Sequence, residues 1–222
     1  MMPATTLTTN TMSLLIPVAV PALKPRKPLN PVSLYLRELE DICDLPSDLA
    51  IREIVPLLSH LASDRTFLDS SLLPHAEATR GTGINSYAGV KDPYIAYRRE
   101  GQDNSYALQL FVWPAGAASQ IHDHSCWGAI SCISGSLMEK RYDRIDDAST
   151  PNQAHLKKAW EQVWKSGQGI STLLPYDGGI HQVSNPTNAT VLSLHIYGPM
   201  GAIDGRDYDP LHDYVCDRLV GD

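Results

Sequence analysis

From about residue 93 to residue 197 the chain is a succession of short β-prone runs parted by turn-forming clusters, with no helical pattern between them. The runs cover residues 94–99, 107–113, 128–133, 137–144, 169–174, 181–183 and 190–197. Gly101-Gln-Asp-Asn104 and Asp177-Gly-Gly179 are typical of the turns that separate them. Parallel strands need long crossovers, usually helical, so strands spaced this closely predict an antiparallel sandwich or barrel. Residues 146–168 are less regular, and Trp160 and Trp164 predict either a strand or a helical turn docked on the body.

The preceding segment has a different period. Asn30-Pro31 is a helix opening, a capping side chain followed by proline at the first helical position. Val32, Tyr35, Leu36, Leu39, Ile42 and Cys43 recur at helical spacing. A second helix is predicted over residues 47–62, with Ile51, Ile54, Val55, Leu58 and Leu61 on one side and Pro56 kinking or dividing it. The expected organisation is a disordered tail at 1–29, a helical cap at 30–90, a barrel at 91–210 and a C-terminal extension at 211–222.

Composition narrows the partners. The formal net charge of −7 and the lack of a basic run beyond Lys24-Pro-Arg-Lys27 exclude nucleic acid, which requires a basic face. The apolar run at residues 12–23 carries Pro17 and Pro21, is too short to span a bilayer and has no basic residue before it. No membrane association is expected. Cys43, Cys126, Cys132 and Cys216 show no Cys-x-x-Cys spacing, which predicts thiols in a reducing, cytoplasmic setting.

Chemistry concentrates in two glycine-rich passages. The first reads Gly116-Ala-Ala-Ser-Gln-Ile-His122-Asp-His124-Ser-Cys-Trp-Gly128, closed by Gly135. Residues i and i+2 of an extended segment face the same way, so His122 and His124 can grip one ion. The second, Gly169-x5-Pro175-x2-Gly178-x2-His181-x3-Asn185, delivers a third imidazole at a strand start. Any one of these histidines alone would be read as an ordinary core or surface residue; the set of three in this frame predicts a metal site. Imidazoles alone suit zinc, copper or nickel as well as iron. Asp123 should point away from the ion, Asn185 should tie the turn after His181, and Trp113 and Trp127 read as packing residues. His60, His75, His155 and His212 lack ligand spacing.

These passages resemble the two cupin motifs, in the form they take in the thiol dioxygenases: cysteine dioxygenase and the bacterial 3-mercaptopropionate dioxygenase. A general cupin places a glutamate ligand where this chain has Gly128 or Ala129. The resemblance implies an all-β cupin barrel (an antiparallel jelly roll) with an N-terminal helical cap. It also implies Fe(II) on His122, His124 and His181, and a small carboxylated thiol and O2 as partners. Ser193-Leu-His195-Ile-Tyr197 matches the family's Ser-His-Tyr row beside the metal, although spacing alone would equally suit the solvent side of an edge strand. The slot of the crosslinking cysteine of mammalian-type enzymes falls on Gly128, two residues from Cys126 and four beyond which stands Cys132, so no thioether is expected.

The carboxylate anchor is less settled. Arg206, nine residues after Tyr197, matches the mercaptopropionate pattern and is the preferred anchor, which makes 3-mercaptopropionate the first-choice substrate. The cysteine-type Tyr-x-Arg slot falls on Ala96 without gaps, or on Arg99 across a shorter hairpin; Arg98, sharing a face with Ala96 on a regular strand, is the third option. Cysteine is the second substrate. A different metal-dependent cupin, an isomerase or carbon dioxygenase, and a binding module without turnover are the rivals. A monomer or small homo-oligomer is expected.

Overall fold

The computed structural model describes residues 31–78, 86–87, 90–151, 153–201, 205–209 and 215–219. The tail and His212 therefore lie outside the described residues. Helix α1 (Pro31–Cys43) is followed by α2 (Ser47–Ser63). Then α3 (Arg65–Phe67) runs through a π-helical turn, Leu68–Leu72, into α4 (Leu73–Ala78). Asp64 links the two halves: its carboxylate accepts from Phe67 N at 3.0 Å, capping α3, and from Tyr35 OH at 3.0 Å.

Helix α2 buries Ala50, Ile54, Leu57, Leu58 and Leu61, one stripe of period 3.6. Val55, expected on that stripe, is exposed, and Leu57 takes the place beside Ile54. Pro56 does not divide the helix. It sits on the exposed side, where the carbonyl that loses its amide partner can turn to water.

Thirteen strands follow among the described residues: β1 (Ser86–Tyr87), β2 (Val90–Lys91), β3 (Tyr94–Glu100), β4 (Ala107–Trp113), β5 (Ile121–His122), β6 (Gly128–Ser134), β7 (Ser136–Arg144), β8 (Leu156–Lys165), β9 (Ser171–Leu173), β10 (His181–Ser184), β11 (Val191–Tyr197), β12 (Arg206–Asp209) and β13 (Val215–Leu219). They form a short β1–β2 hairpin, a six-stranded sheet ordered β13-β12-β5-β10-β7-β8 and a five-stranded sheet ordered β3-β4-β11-β6-β9. All the pairings are antiparallel. The ambiguous region containing Trp160 and Trp164 is strand, paired with β7 from Ser136↔Lys165 to Arg144↔Leu156. The chain past residue 210 returns to the six-stranded sheet as β13.

The period of two along β11 explains how the layers stack. Leu192, Leu194 and Ile196 face outward and join Leu108, Leu110 and Ala129 under the helices, in one cluster with Leu39, Ile54, Leu58 and Leu61. Burying a side chain of this size contributes roughly 1.5–3 kcal/mol, so the cap fixes which face of β11 looks out. The alternate residues, Ser193, His195 and Tyr197, therefore face the barrel interior. Gly135 turns β6 into β7 at φ +79°, where a Cβ would also meet Val191 at 2.7 Å. The result is an all-β cupin barrel with an N-terminal helical cap.

Candidate metal centre and cavity

His122 ends β5 and His181 begins β10, and the two are direct partners across this antiparallel pair. His124 follows two residues later, and the ligating nitrogens of all three lie within 4.8 Å of one another. His124 Nε2 and His181 Nε2 are 3.3 Å apart, so their lone pairs converge on one point. His122 Nδ1 is 2.9 Å from the Gln120 carbonyl and His181 Nδ1 is 3.1 Å from Glu139 Oε1. Those oxygens only accept, so each Nδ1 carries the proton and each Nε2 is left bare for an ion. Burial, then the neighbouring histidines, hold His124 well below the ordinary imidazole range. Burial likewise brings His181 down to about 4. Neutral imidazoles are the form that ligates. The donor set fits a divalent transition metal, with nitrogen donors only.

Glu139 was not singled out by the sequence. Its side chain is 1% exposed and accepts from His181 Nδ1, from Arg141 Nε at 2.7 Å and from Trp164 Nε1 at 2.9 Å. Burial pushes this carboxyl up, but the bonds from His181 and the charge of Arg141 outweigh it and hold it at about 2. The available signal was an acidic residue at an inward position of a run already read as strand, two residues after the buried Leu137.

Ser193, His195 and Tyr197 form a hydrogen-bonded row inside the barrel, not the solvent side of an edge strand that their spacing equally allowed. Ser193 Oγ is 2.7 Å from His195 Nε2, and His195 Nδ1 is 2.9 Å from Tyr197 Oη. The row has a fourth member, Trp113, whose Nε1 donates to Ser193 Oγ at 2.7 Å. Indole N–H is a donor only, and this fixes the direction of the chain. With the serine oxygen accepting from Trp113, its own hydrogen goes to His195 Nε2. The proton on His195 Nδ1 then goes to the Tyr197 oxygen, and the phenolic proton is left for the cavity. The reverse order would strand a hydroxyl hydrogen on Ser193, which is 0% exposed, at a cost of about 1–3 kcal/mol. Trp113 is thus the terminus of the row as well as a packing residue. Burial pushes His195 down to about 3 and the Tyr197 phenol up, keeping both neutral.

Gly128 is the direct partner of Tyr197 across β6 and β11. A Cβ there would lie 3.1 Å from the Tyr197 ring. The position expected of a crosslinking cysteine is therefore beside the tyrosine, and it carries no side chain. Cys43, Cys126 and Cys132 are buried thiols outside any disulfide.

A cavity of about 250 Å³ opens over the site, lined among others by His122, His124, Tyr197, Gln109, Phe111 and Arg98. Arg98 faces it because of an irregularity in β3. The pairing with β4 jumps between Ile95↔Phe111 and Tyr97↔Leu110, making Ala96 an extra residue. The expectation that Arg98 shares a face with Ala96 is corrected: the bulge puts Arg98 on the face of Ile95, opposite Gln109. Arg99 falls on the other face, opposite Leu108, and is exposed.

Arg206 is placed differently. Its backbone N and Nε donate to Asp123 at 2.7 and 2.8 Å, Nη2 approaches the same carboxylate at 2.6 Å, and Nη2 also bonds Asp177. Tyr208 OH donates to Asp123 at 2.8 Å, and the guanidinium lies 5.7 Å from the rings of Tyr176 and Tyr208. Arg206 does not line the cavity. Because β12 pairs with β5, this cluster braces the His-x-His segment from behind. Asp123 indeed points away from the histidine nitrogens. Asn185 ties its turn by donating to Trp113 O and Ala189 O and accepting from Thr187. His60 and His75 pack on Tyr35 and Tyr97.

A two-sheet antiparallel barrel with three converging histidines in its core defines the cupin class. Residues 77–207 match the family described as cysteine dioxygenase type I, and the chain belongs to that family. It is accordingly a thiol dioxygenase by family. Solved structures similar to it include an uncharacterized conserved protein with a double-stranded β-helix domain from Klebsiella pneumoniae. That match has 16% identity and a TM-score of 0.39, over 60% of this chain and 88% of that one. A Cupin 2 conserved barrel domain protein from Salinispora arenicola matches at 14% identity and TM-score 0.36, over 53% and 82%. Oxalate decarboxylase from Bacillus subtilis matches at 17% identity and TM-score 0.38, over 55% of this chain and 29% of that longer one.

Proposed function

We propose that the chain is a mononuclear non-haem Fe(II) dioxygenase that converts a small carboxylated thiol and O2 into the corresponding sulfinic acid. The observation that carries this reading is the combination of three converging imidazoles, with no carboxylate joining them among the described residues, beside a hydrogen-bonded row that ends in a phenolic proton. His122, His124 and His181 would hold the iron. When bound, the iron supplies a site with its full positive charge, suited to an anionic thiolate and to dioxygen.

The chain's own residues would do the rest. Arg98 on the cavity wall would take the substrate carboxylate as a two-point hydrogen-bonded partner. Tyr197, with its proton turned to the cavity by His195, Ser193 and Trp113, would donate to the oxygen or sulfur that gains charge. Ile95, Phe111 and Met200 supply the apolar part of the wall, which limits water at the reacting atoms.

Arg206 as anchor would favour 3-mercaptopropionate. Its engagement with Asp123 and Asp177, set against the placement of Arg98, supports the cysteine-type anchor instead. Cysteine is therefore placed ahead of 3-mercaptopropionate. A cytoplasmic setting is part of the same proposal; among the described residues no helix is long and apolar enough to cross a membrane. Oxygen uptake by Fe(II)-loaded protein with cysteine, 3-mercaptopropionate, cysteamine and mercaptosuccinate tests the reading. Metal bound without oxygen uptake on any thiol would point to an isomerase or a carbon dioxygenase.

A further inference from the structure

Within the barrel, Glu139 stands where an apolar residue would be easier to bury. Its side chain is 1% exposed and its neighbours include Leu137 on its own strand, Val183 opposite it on β10 and Ile130 in the facing sheet. A buried ion pair is commonly no more stabilising than well-packed apolar residues of similar volume. A fold that keeps one at this position needs another reason for it, and the three bonds to the carboxylate supply that reason.

All three partners are donors. Oε1 takes His181 Nδ1 at 3.1 Å and Arg141 Nε at 2.7 Å, and Oε2 takes Trp164 Nε1 at 2.9 Å. Arg141 is itself fixed to β9, through Ser171 Oγ at 2.9 Å and the Thr172 carbonyl. The carboxylate is thus held by β7, β8 and, through Arg141, β9, and it presents one oxygen to the imidazole at the start of β10. We propose that Glu139 is the positioning residue for His181, fixing its proton on Nδ1 and its ring plane so that Nε2 meets the ion. This rests on the three-histidine metal reading. It means that the carboxylate missing from the histidine motif is present one layer out, acting through His181 without becoming a ligand. Such a partner makes an imidazole a stronger donor and favours the more oxidised state of the metal.

Glu139→Gln is the main test. Its amide oxygen can still accept from His181 and Arg141, but its NH2 group then meets the Trp164 N–H. The double variant Glu139→Gln with Trp164→Phe removes that clash, so it tests charge with the packing retained. Fe(II) affinity is to be measured by chelator competition, with His181→Ala as the control for loss of the site. In both Gln variants affinity should fall about 10- to 100-fold, and the Fe(III)/Fe(II) potential of the loaded protein should rise. Affinity within about twofold of wild type would overturn the proposal, as would an unchanged potential. Imidazole 15N spectra of the unsubstituted, zinc-loaded protein provide a readout that needs no variant. His181 should carry its proton on Nδ1, and a bare Nδ1 would overturn the proposal. A wild-type protein that takes up no metal, or one that His181→Ala leaves fully loaded, would contradict the metal reading itself.

Discussion

Arg98 and Arg206 have the same side chain and lie on different sheets of one barrel, yet their surroundings differ in kind. Arg206 is held against Asp123 and Asp177, between two tyrosine rings, in the brace behind the His-x-His segment. Arg98 lines the cavity and, among the described residues, is ion-paired with Glu100 alone, at 2.7 Å, with both side chains about half exposed (45% and 46%). An exposed pair contributes only about 0–1 kcal/mol, so a substrate carboxylate can displace it. Breaking a buried pair costs about 3–5 kcal/mol, so Arg206 cannot be recruited cheaply. What decides a substrate anchor is how far its donors are already committed. The same contrast separates the two ends of the Ser-His-Tyr row: Trp113 is committed inside the barrel, and the Tyr197 proton is not.

The largest effect should come from the braced side. Arg206→Ala leaves Asp123 buried without its cation and should destabilise the protein by about 3–5 kcal/mol, a clear drop in Tm by calorimetry. A normal Tm with a greatly raised substrate KM would reverse the roles of the two arginines. On the open side, Tyr197→Phe should retain iron by metal analysis and lower kcat by about 100-fold, the low end for a lost acid. An unchanged kcat would make the row purely structural. Arg98→Ala should raise KM for carboxylated thiols about 10- to 100-fold, equivalent to about 1.4–3 kcal/mol, with Tm unmoved. Arg99→Ala, on the helix side of β3, should leave KM within about twofold, since a lost surface-type contact stays within about 0.5 kcal/mol.

Acid should distinguish the regions too. The folded values of His181 and His195, about 4 and about 3, lie below the ordinary value of 6.5. The unfolded chain therefore binds more protons between those limits. Stability of the metal-free protein is fully present above about pH 6.5 and is lost as pH falls towards 4. Thermal melts of metal-free protein at pH 7.5, 6 and 5 should show a falling Tm; a flat series would contradict neutral burial of these histidines.

Much of this site can be read from the sequence because it depends on local periodicity. His122 and His124, and Ser193, His195 and Tyr197, show their common face through spacing of two. His181 shows itself through its glycine-proline frame. The rest depends on events that spacing does not record. One extra residue at Ala96 reverses the facing of β3, so Arg98 reaches the cavity where regular alternation would send it with Ala96. Arg206 stands at the spacing of a substrate anchor, but its partners are 29 and 83 residues away in sequence. Glu139 meets His181 across 42 residues and a strand pairing. The helical cap was legible as amphipathic helices, but the π-helical turn and α4 carry no comparable stripe.

The central claim is oxidation of a carboxylated thiol at a three-histidine iron, with the carboxylate held by Arg98. Oxygen consumption by Fe(II)-loaded protein, followed alongside product for cysteine and 3-mercaptopropionate against cysteamine, tests it most directly. The account predicts one O2 consumed per thiol, sulfinate as the product, and cysteamine, which lacks the carboxylate, as the slowest of the three. No oxygen uptake with any thiol by iron-loaded protein, or cysteamine turning over as well as cysteine, would contradict it.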